Sequence, residues 1–408
     1  MSARDVRTGA RGNPPPRPTQ IYDALILGGD FAGLVAGAVL VKRGFRVLHV
    51  DDGSDHPDRK EGGHLLPNRP DLLPPPRALP SLHALLDELG LMPNVGRSIL
   101  PHPRGLQLLR PDARLDLLPK EEDRARELER AFGPQGPGWH RDLQALDLPV
   151  GPWLEAAALL PPAGIGEAWK LRGPIRKLLG FVADKEVSNP LMEAARDLHA
   201  LLAPAPGSLV GLSRTIAPLL PLPSQLGPPR LWRVLHGYLA SHRGETLEAK
   251  IAKVVVEKGG FGGVQFEGIG VPHRARVGIF ALSPSRAAEL VESRGPRKKL
   301  EALPFEPSAR QVTLNLVLED AGIPPGLGSL ALVQLGGSPL LLSVEPARDE
   351  GGKELSGLHT LTATGNFPLR TGPEEAKAQI RSTLEEVVPF FDRHLRYESL
   401  HEGGPAEV

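Results

Sequence analysis

The chain has 408 residues, 40% of them hydrophobic and 24% charged, with Lys+Arg and Asp+Glu both at 48 and no cysteine. This balance leaves no basic excess to recruit nucleic acid, and the lack of cysteine excludes disulfides, thiol nucleophiles, iron–sulfur clusters and cysteine-rich zinc sites. No apolar run reaches the roughly 18 residues of a membrane-spanning helix, and at roughly 150 residues per domain the length suits two or three domains.

Residues 1–19 are basic and rich in proline and glycine, and read as a disordered lead-in without the apolar centre of a secretory signal. The expected location is the cytoplasm, with peripheral membrane association left open. IYDALIL (21–27) reads as a buried strand ending at Gly28. FAGLVAGAVLVKRG (31–44) follows as a small-residue helix closing on Gly44. RVLHV (46–50) is a second buried strand, ended by Asp51 and Asp52, which completes a β-α-β unit. Residues 57–80 are proline-rich, and SLHALLDELG (81–90) resumes as a helix. The segment 104–119 predicts a hairpin around RPDA, and 120–132 a helix with acidic residues in its first turn. The apolar stretch 201–229 is broken by prolines. It suits a wall packed in a core, or a lining for a lipophilic substrate or a shallow membrane contact.

A helix is expected over 231–244, then three strands at 250–258, 260–268 and 274–283. Further strands are expected at 311–319, 329–335, 340–346 and 358–364, with a last amphipathic helix over 374–391 before a polar end.

Chemistry concentrates in ALILGGDFAGLVAG (24–37). A dinucleotide turn brings backbone close to a pyrophosphate at a helix N-terminus. Its first glycine permits the turn, its second removes a Cβ that would strike the phosphate, and its third lets helix and strand pack. Those positions are Gly28, Asp30 and Gly33 here, and Asp51 stands where an acidic residue holds a ribose hydroxyl. The candidate cofactor-binding residues are therefore Gly28, Gly29, Asp30, Phe31, Ala32, Gly33 and Asp51.

GGDFAGLVAGAVLVKRGFRVLHVD resembles the N-terminal unit of the FAD-dependent amine oxidase/phytoene desaturase superfamily. LQLLRPDARLDLLPKEEDRARELERAF resembles the early substrate-domain hairpin and helix of its carotenoid-desaturase branch. The stretch from LWRVLHGYLASHRG to ARVGIFALSP resembles the helix and β-meander that return to the FAD domain. There the family meets adenine through the backbone of a strand whose matching positions are Ile251 and Val254, which adds Ile251 to the candidates. The resemblance implies FAD as cofactor.

Three features depart from the family pattern. Asp30 puts a carboxylate beside the pyrophosphate, and at an effective dielectric of about 20 and roughly 4 Å each like-charge pair costs on the order of 4 kcal/mol. Its other role is that of helix N-cap, accepting from the N–H of Ala32 or Gly33. DRKEGGHLL offers Arg59, Gly62, Gly63 and His64 in place of an Arg-x-Gly-Gly-Arg-like loop. Finally, the late Gly-Asp pair before a flavin-covering helix is missing. Gly365-Asn366 is the nearest match, so the chain reads as stopping before that segment.

The expected fold class is α/β: a Rossmann-like FAD/NAD(P)-binding domain (20–75 plus 225–295) with a mixed α+β substrate domain (76–224 plus 296–400) and a polar tail at 401–408. No catalytic acid or base stands out. The thirteen histidines show no metal-ligand spacing, so no metal is expected. Aromatics at 4% disfavour a cage for an amine cation and favour an apolar substrate. Two functions follow: an FAD-dependent oxidoreductase acting on a lipophilic small molecule, or a non-catalytic relative with weak or no FAD binding that docks with a protein partner.

Overall fold

The computed structural model describes residues 21–53, 56–69, 72, 80–95, 105–145, 189–202, 228–257, 260–302 and 307–407. The expected lead-in and most of the proline-broken stretch 201–229 lie outside these residues. In chain order the first elements are β1 (Ile21–Leu27), α1 (Phe31–Lys42), β2 (Val47–Asp51), β3 (Asp58–Glu61) and β4 (His64–Pro67). Next come α2 (Pro80–Glu88), β5 (Leu106–Leu109), β6 (Arg114–Leu117), α3 (Glu121–Phe132), α4 (Gly136–Ala145) and α5 (Pro190–Leu202). They are followed by α6 (Pro228–Ser241), β7 (Gly244–Glu248), β8 (Ile251–Glu257), β9 (Gly260–Phe266), β10 (Arg274–Phe280), α7 (Pro284–Leu290) and α8 (Arg294–Glu301). The last are β11 (Pro307–Glu319), β12 (Leu330–Val333), β13 (Leu340–Arg348), β14 (Glu354–Phe367), α9 (Pro373–Val387) and β15 (Leu395–Glu407). The chain divides into two compact units, Met1–His56 with Trp232–Leu303, and Pro57–Leu231 with Pro304–Val408.

In the first unit β10, β1, β2 and β7 form a parallel sheet in that order. Leu27 pairs with both Val50 and Phe280, which lines up the carboxyl ends of three strands at the Gly28 turn. β1 is apolar on both faces, as a strand inside a parallel sheet must be. Tyr22, Leu25 and Leu27 pack with Val50, Ile251 and Phe266, while Ala24 and Ile26 pack with Val41 and Leu239. Two elements differ from expectation. The strand at 274–283 does not complete a meander: after one bridge from His273 to Val264 it pairs in parallel with β1. Gly268, Gly270 and Pro272 interrupt the hairpin and release the chain to cross over. The helix expected to close on Gly244 stops at Ser241, Arg243 turns left-handed at φ 63°, and Gly244 opens β7.

The second unit holds a seven-stranded mixed sheet, ordered β15-β11-β14-β13-β12-β5-β6. Its edge strand β15 is the stretch that reads as a polar end. Backbone pairing to β11 holds it, and an edge strand tolerates the charges it carries. One sheet face, with Leu314, Leu316, Leu361 and Ala363, packs under Ala376, Ile380 and Leu384 of α9. Gly365 and Asn366 lie inside β14, and α9 is a core helix of this unit. On the opposite face Leu332 and Leu341 pack with Leu191 and Leu198 of α5, whereas the part over β11 and β14 is polar and internally bonded. Thr313 Oγ1 lies 2.9 Å from Thr364 Oγ1, and Thr362 Oγ1 donates to Asn315 Oδ1 at 2.8 Å. DRKEGGHLL forms the β3–β4 hairpin against this face, turned by Gly62 and Gly63 at φ 59° and 83°. Asn315 Nδ2 donates to Pro67 O at 2.9 Å and Arg59 Nη2 to Ser399 Oγ at 2.6 Å. Among the described residues no helix is long and apolar enough to cross a membrane.

Ile380 is fully buried at the centre of the α9 contact. Ile380→Ala is expected to destabilise the second unit by about 2–5 kcal/mol, read as a lowered urea midpoint by circular dichroism.

Candidate nucleotide site

The turn after β1 is built by three glycines with separate duties. Gly28 has φ 116°, and a Cβ there would lie 2.0 Å from Ala281 O, so no side chain fits. A Cβ on Gly33 would lie 2.8 Å from Ala281 Cβ, so this glycine lets α1 close on the segment after β10. A Cβ on Gly29 would lie 2.4 Å from Asp51 Oδ1, and its absence lets the carboxylate lie against the turn. Asp30 is extended at φ −69° and ψ 167° and caps α1: Gly33 N–H donates to its Oδ1 at 2.7 Å. Phe31 and Ala32 are the first helical residues, half-buried and exposed respectively. Ile251 begins β8 with its side chain buried in the core of the unit, which leaves only its backbone to meet a ligand.

Asp51 closes β2 and is buried. Its Oδ1 accepts Gly53 N–H at 2.9 Å, and its Oδ2 lies 3.1 Å from His56 Nε2. Burial alone would raise its pKa, but the bonds from His56 and Gly53 hold it below the usual carboxylate range. The His56 ring sits 4.3 Å from that of Trp232, which in turn stacks on His236 at 4.8 Å. Trp232 Nε1–H donates to Gly29 O at 3.0 Å. His49 is fully buried two residues before Asp51 on β2, and burial pushes its imidazole down to about 4. His236 is lowered by burial as well, against the opposing pull of Asp51 and Glu248.

His49, His56, Trp232 and His236 escaped the sequence reading. Their only signals are the alternation that puts His49 and Asp51 on one strand face and the i,i+4 spacing of Trp232 and His236. Neither says that the two faces meet. Among the described residues no group of three or more His, Asp or Glu is placed to hold a metal.

A dinucleotide pyrophosphate needs the free N–H groups of a helix N-terminus. Here Gly33 N–H is donated to Asp30, and that carboxylate carries negative charge at the place where the phosphate charge would come. Asp51, the ribose partner of such turns, is engaged by His56 and Gly53. In this arrangement a bound FAD would have to compete with the Asp30 cap for Gly33 N–H and with His56 for Asp51.

No protein-family model and no curated protein matches the chain. Solved structures do match, over nearly its full length. A Rab GDI from Plasmodium falciparum gives a TM-score of 0.55 at 10% identity, covering 94% of this chain and 89% of its own. An oxidoreductase from Methanosarcina mazei gives 0.54 at 13% identity, covering 93% and 87%. A putrescine oxidase variant gives 0.53 at 17% identity, covering 94% and 84%. These chains share the fold, whether named as oxidoreductases or as a Rab GDI. At these identities the likeness is one of architecture: a Rossmann-like domain with a second, mixed domain.

Gly28→Ala combines a forbidden backbone angle with a backbone clash, and is expected to cost about 3 kcal/mol or more. Gly33→Ala keeps an allowed backbone angle but meets the Ala281 methyl group at 2.8 Å and Asp30 Oδ1 and Gly28 O at 3.1 Å, and is expected to cost about 1–3 kcal/mol. Thermal unfolding of the two variants checks this order. Because His49 titrates near 4 when folded and near 6.5 when unfolded, the unfolded chain binds more protons between those values. Stability is therefore full above the unfolded pKa and falls on acidification, by on the order of 3 kcal/mol across that window. His49→Leu is expected to flatten this dependence in unfolding measured as a function of pH.

Proposed function

We propose that this protein uses the FAD-oxidoreductase fold without a resident flavin, as a non-catalytic binding protein that docks with a partner presenting a lipophilic group. The bond from Gly33 N–H to the Asp30 carboxylate carries this reading, because it places the chain's own anion at the phosphate end of the turn. The Leu/Pro-rich composition of 201–229 and the low aromatic content support an apolar ligand over an amine. The first unit then acts as a structural frame. A chain named Rab GDI has the same architecture, so the fold is not confined to proteins named as oxidoreductases. The cytoplasm is the proposed location, with a membrane surface as the alternative where a lipophilic group would be met.

A second reading is favoured by the placement of Gly28, Gly33 and Asp51, which keep the positions of a dinucleotide turn. It is an FAD-dependent oxidoreductase acting on a lipophilic substrate, in the manner of the desaturases that the sequence resembles. Flavin would supply the redox chemistry, and Gly28, Gly29, Phe31, Ala32, Gly33, Asp51 and the Ile251 backbone would hold it.

Absorbance of the purified protein separates the two. A colourless protein whose melting temperature is unmoved by added FAD is expected. Stoichiometric bound flavin would overturn the non-catalytic reading and establish the second.

A further inference from the structure

In a doubly wound sheet, the carboxylate at the end of the second strand accepts hydrogen bonds from a ribose diol. Asp51 holds that place, and both of its oxygens are engaged. Gly53 N–H bonds Oδ1 at 2.9 Å and His56 Nε2 lies 3.1 Å from Oδ2. His56 is itself held, with its ring against Trp232, whose N–H is anchored on Gly29 O at 3.0 Å. The missing Cβ of Gly29 is what allows the carboxylate to lie back against the turn. The end of β2, the glycine turn and α6 thus converge on one carboxylate, through side chains that a capped turn alone does not require.

We propose that His56 and Trp232 form a latch over Asp51 that excludes a ribose diol independently of Asp30. The proposal rests on the flavin-free reading and deepens it by assigning exclusion to two separable causes. Asp30 acts on phosphate by charge and by taking the Gly33 N–H. The latch acts on ribose by occupying its acceptor. A ribose hydroxyl must displace His56 from Asp51 and from the Trp232 ring together, and it regains only the first of those contacts. Among the described residues His49, His236 and Glu248 also act on this cluster, with Asp52 next to Asp51 in the chain, and burial keeps the two histidines toward the neutral form.

The two causes separate because adenosine carries the ribose diol and no phosphate, whereas FAD carries both. Isothermal titration of each ligand into wild type, His56→Ala, Asp30→Gly and the double variant reads them independently. Adenosine is expected to bind His56→Ala at least roughly tenfold more tightly than wild type, the scale of one hydrogen bond to a charged group. FAD is expected to bind the double variant and neither single variant. Equal adenosine affinity in wild type and His56→Ala overturns the latch. So does FAD binding to Asp30→Gly as tight as to the double variant, or a folded double variant that takes neither ligand. Wild type taking up FAD defeats the flavin-free reading instead. In that case a tighter FAD complex in His56→Ala supports the latch, and an unchanged one overturns it. Should His56→Ala fail to fold, Trp232→Leu, which removes both the ring against His56 and the bond to Gly29, replaces it in each arm, with the same direction of change expected and an unchanged affinity overturning the latch.

Discussion

The N-terminus of α1 is capped by an anion of the chain's own, the Asp30 carboxylate, to which Gly33 N–H donates. A helix start presents unpaired N–H groups and a partial positive charge, so it attracts a carboxylate and a phosphate for the same reason. A carboxylate that belongs to the chain holds its place without the entropy cost a free ligand incurs on association. At 2.7 Å from Gly33 N, Asp30 both caps the helix and takes a donor that a pyrophosphate would use. Such a cap is worth about 1 kcal/mol, which supports a corner already fixed by close backbone approach at Gly28 and Gly33. The same atoms thus stabilise the fold and disfavour the ligand for which the corner has the right outline.

The surroundings of Asp51 follow from this corner. Gly29 lets the carboxylate lie against the turn, and Trp232 fastens the same peptide from α6. His49 and His236 bring two more imidazoles into the cluster, and burial keeps them from charging. The region around the strand end is therefore closed by hydrogen bonds and ring contacts, with a cost on acidification. The second unit is built on different physics. An apolar sheet face packs against α9, while the part of the opposite face over β11 and β14 satisfies its Thr and Asn side chains in a ladder that also fastens the β3–β4 hairpin. Arg59 and His64, which in sequence suggest a cofactor loop, lie in that hairpin. Arg59 bonds Ser399, and His64 lies beside Tyr397 at 5.3 Å between ring centres. A shared fold therefore says little about function here, because function depends on which side chains occupy the site.

Much of this is written locally in the chain. The β1-α1-β2 unit is legible because two short apolar runs bracket a small-residue helix, and the hairpin at 106–117 because RPDA is turn chemistry. β11, β13, β14 and α9 announce themselves by periodicity. The capping role of Asp30 is legible too, since Asp before a helix has few other uses. Two strand assignments, β7 and β15, and one pairing, that of β10, escaped because they depend on partners. β7 is five residues joined to the sheet only through β2, β15 is charged and held by β11, and β10 leaves a hairpin pattern to pair with β1.

The sequence by itself determined the α/β class, the glycines of the turn and the conflict at Asp30, because each arises from residues within a few positions of one another. Only the tertiary structure decided that His56, Trp232 and His236 gather around Asp51, because they come from separate stretches with no shared periodicity. It also placed Arg59 and His64 in a hairpin on the second sheet, since a β-hairpin with two left-handed glycines reads the same wherever it docks. Local patterns set what each segment can form, whereas long-range packing sets which side chains meet, and in this protein those meetings set what surrounds Asp51.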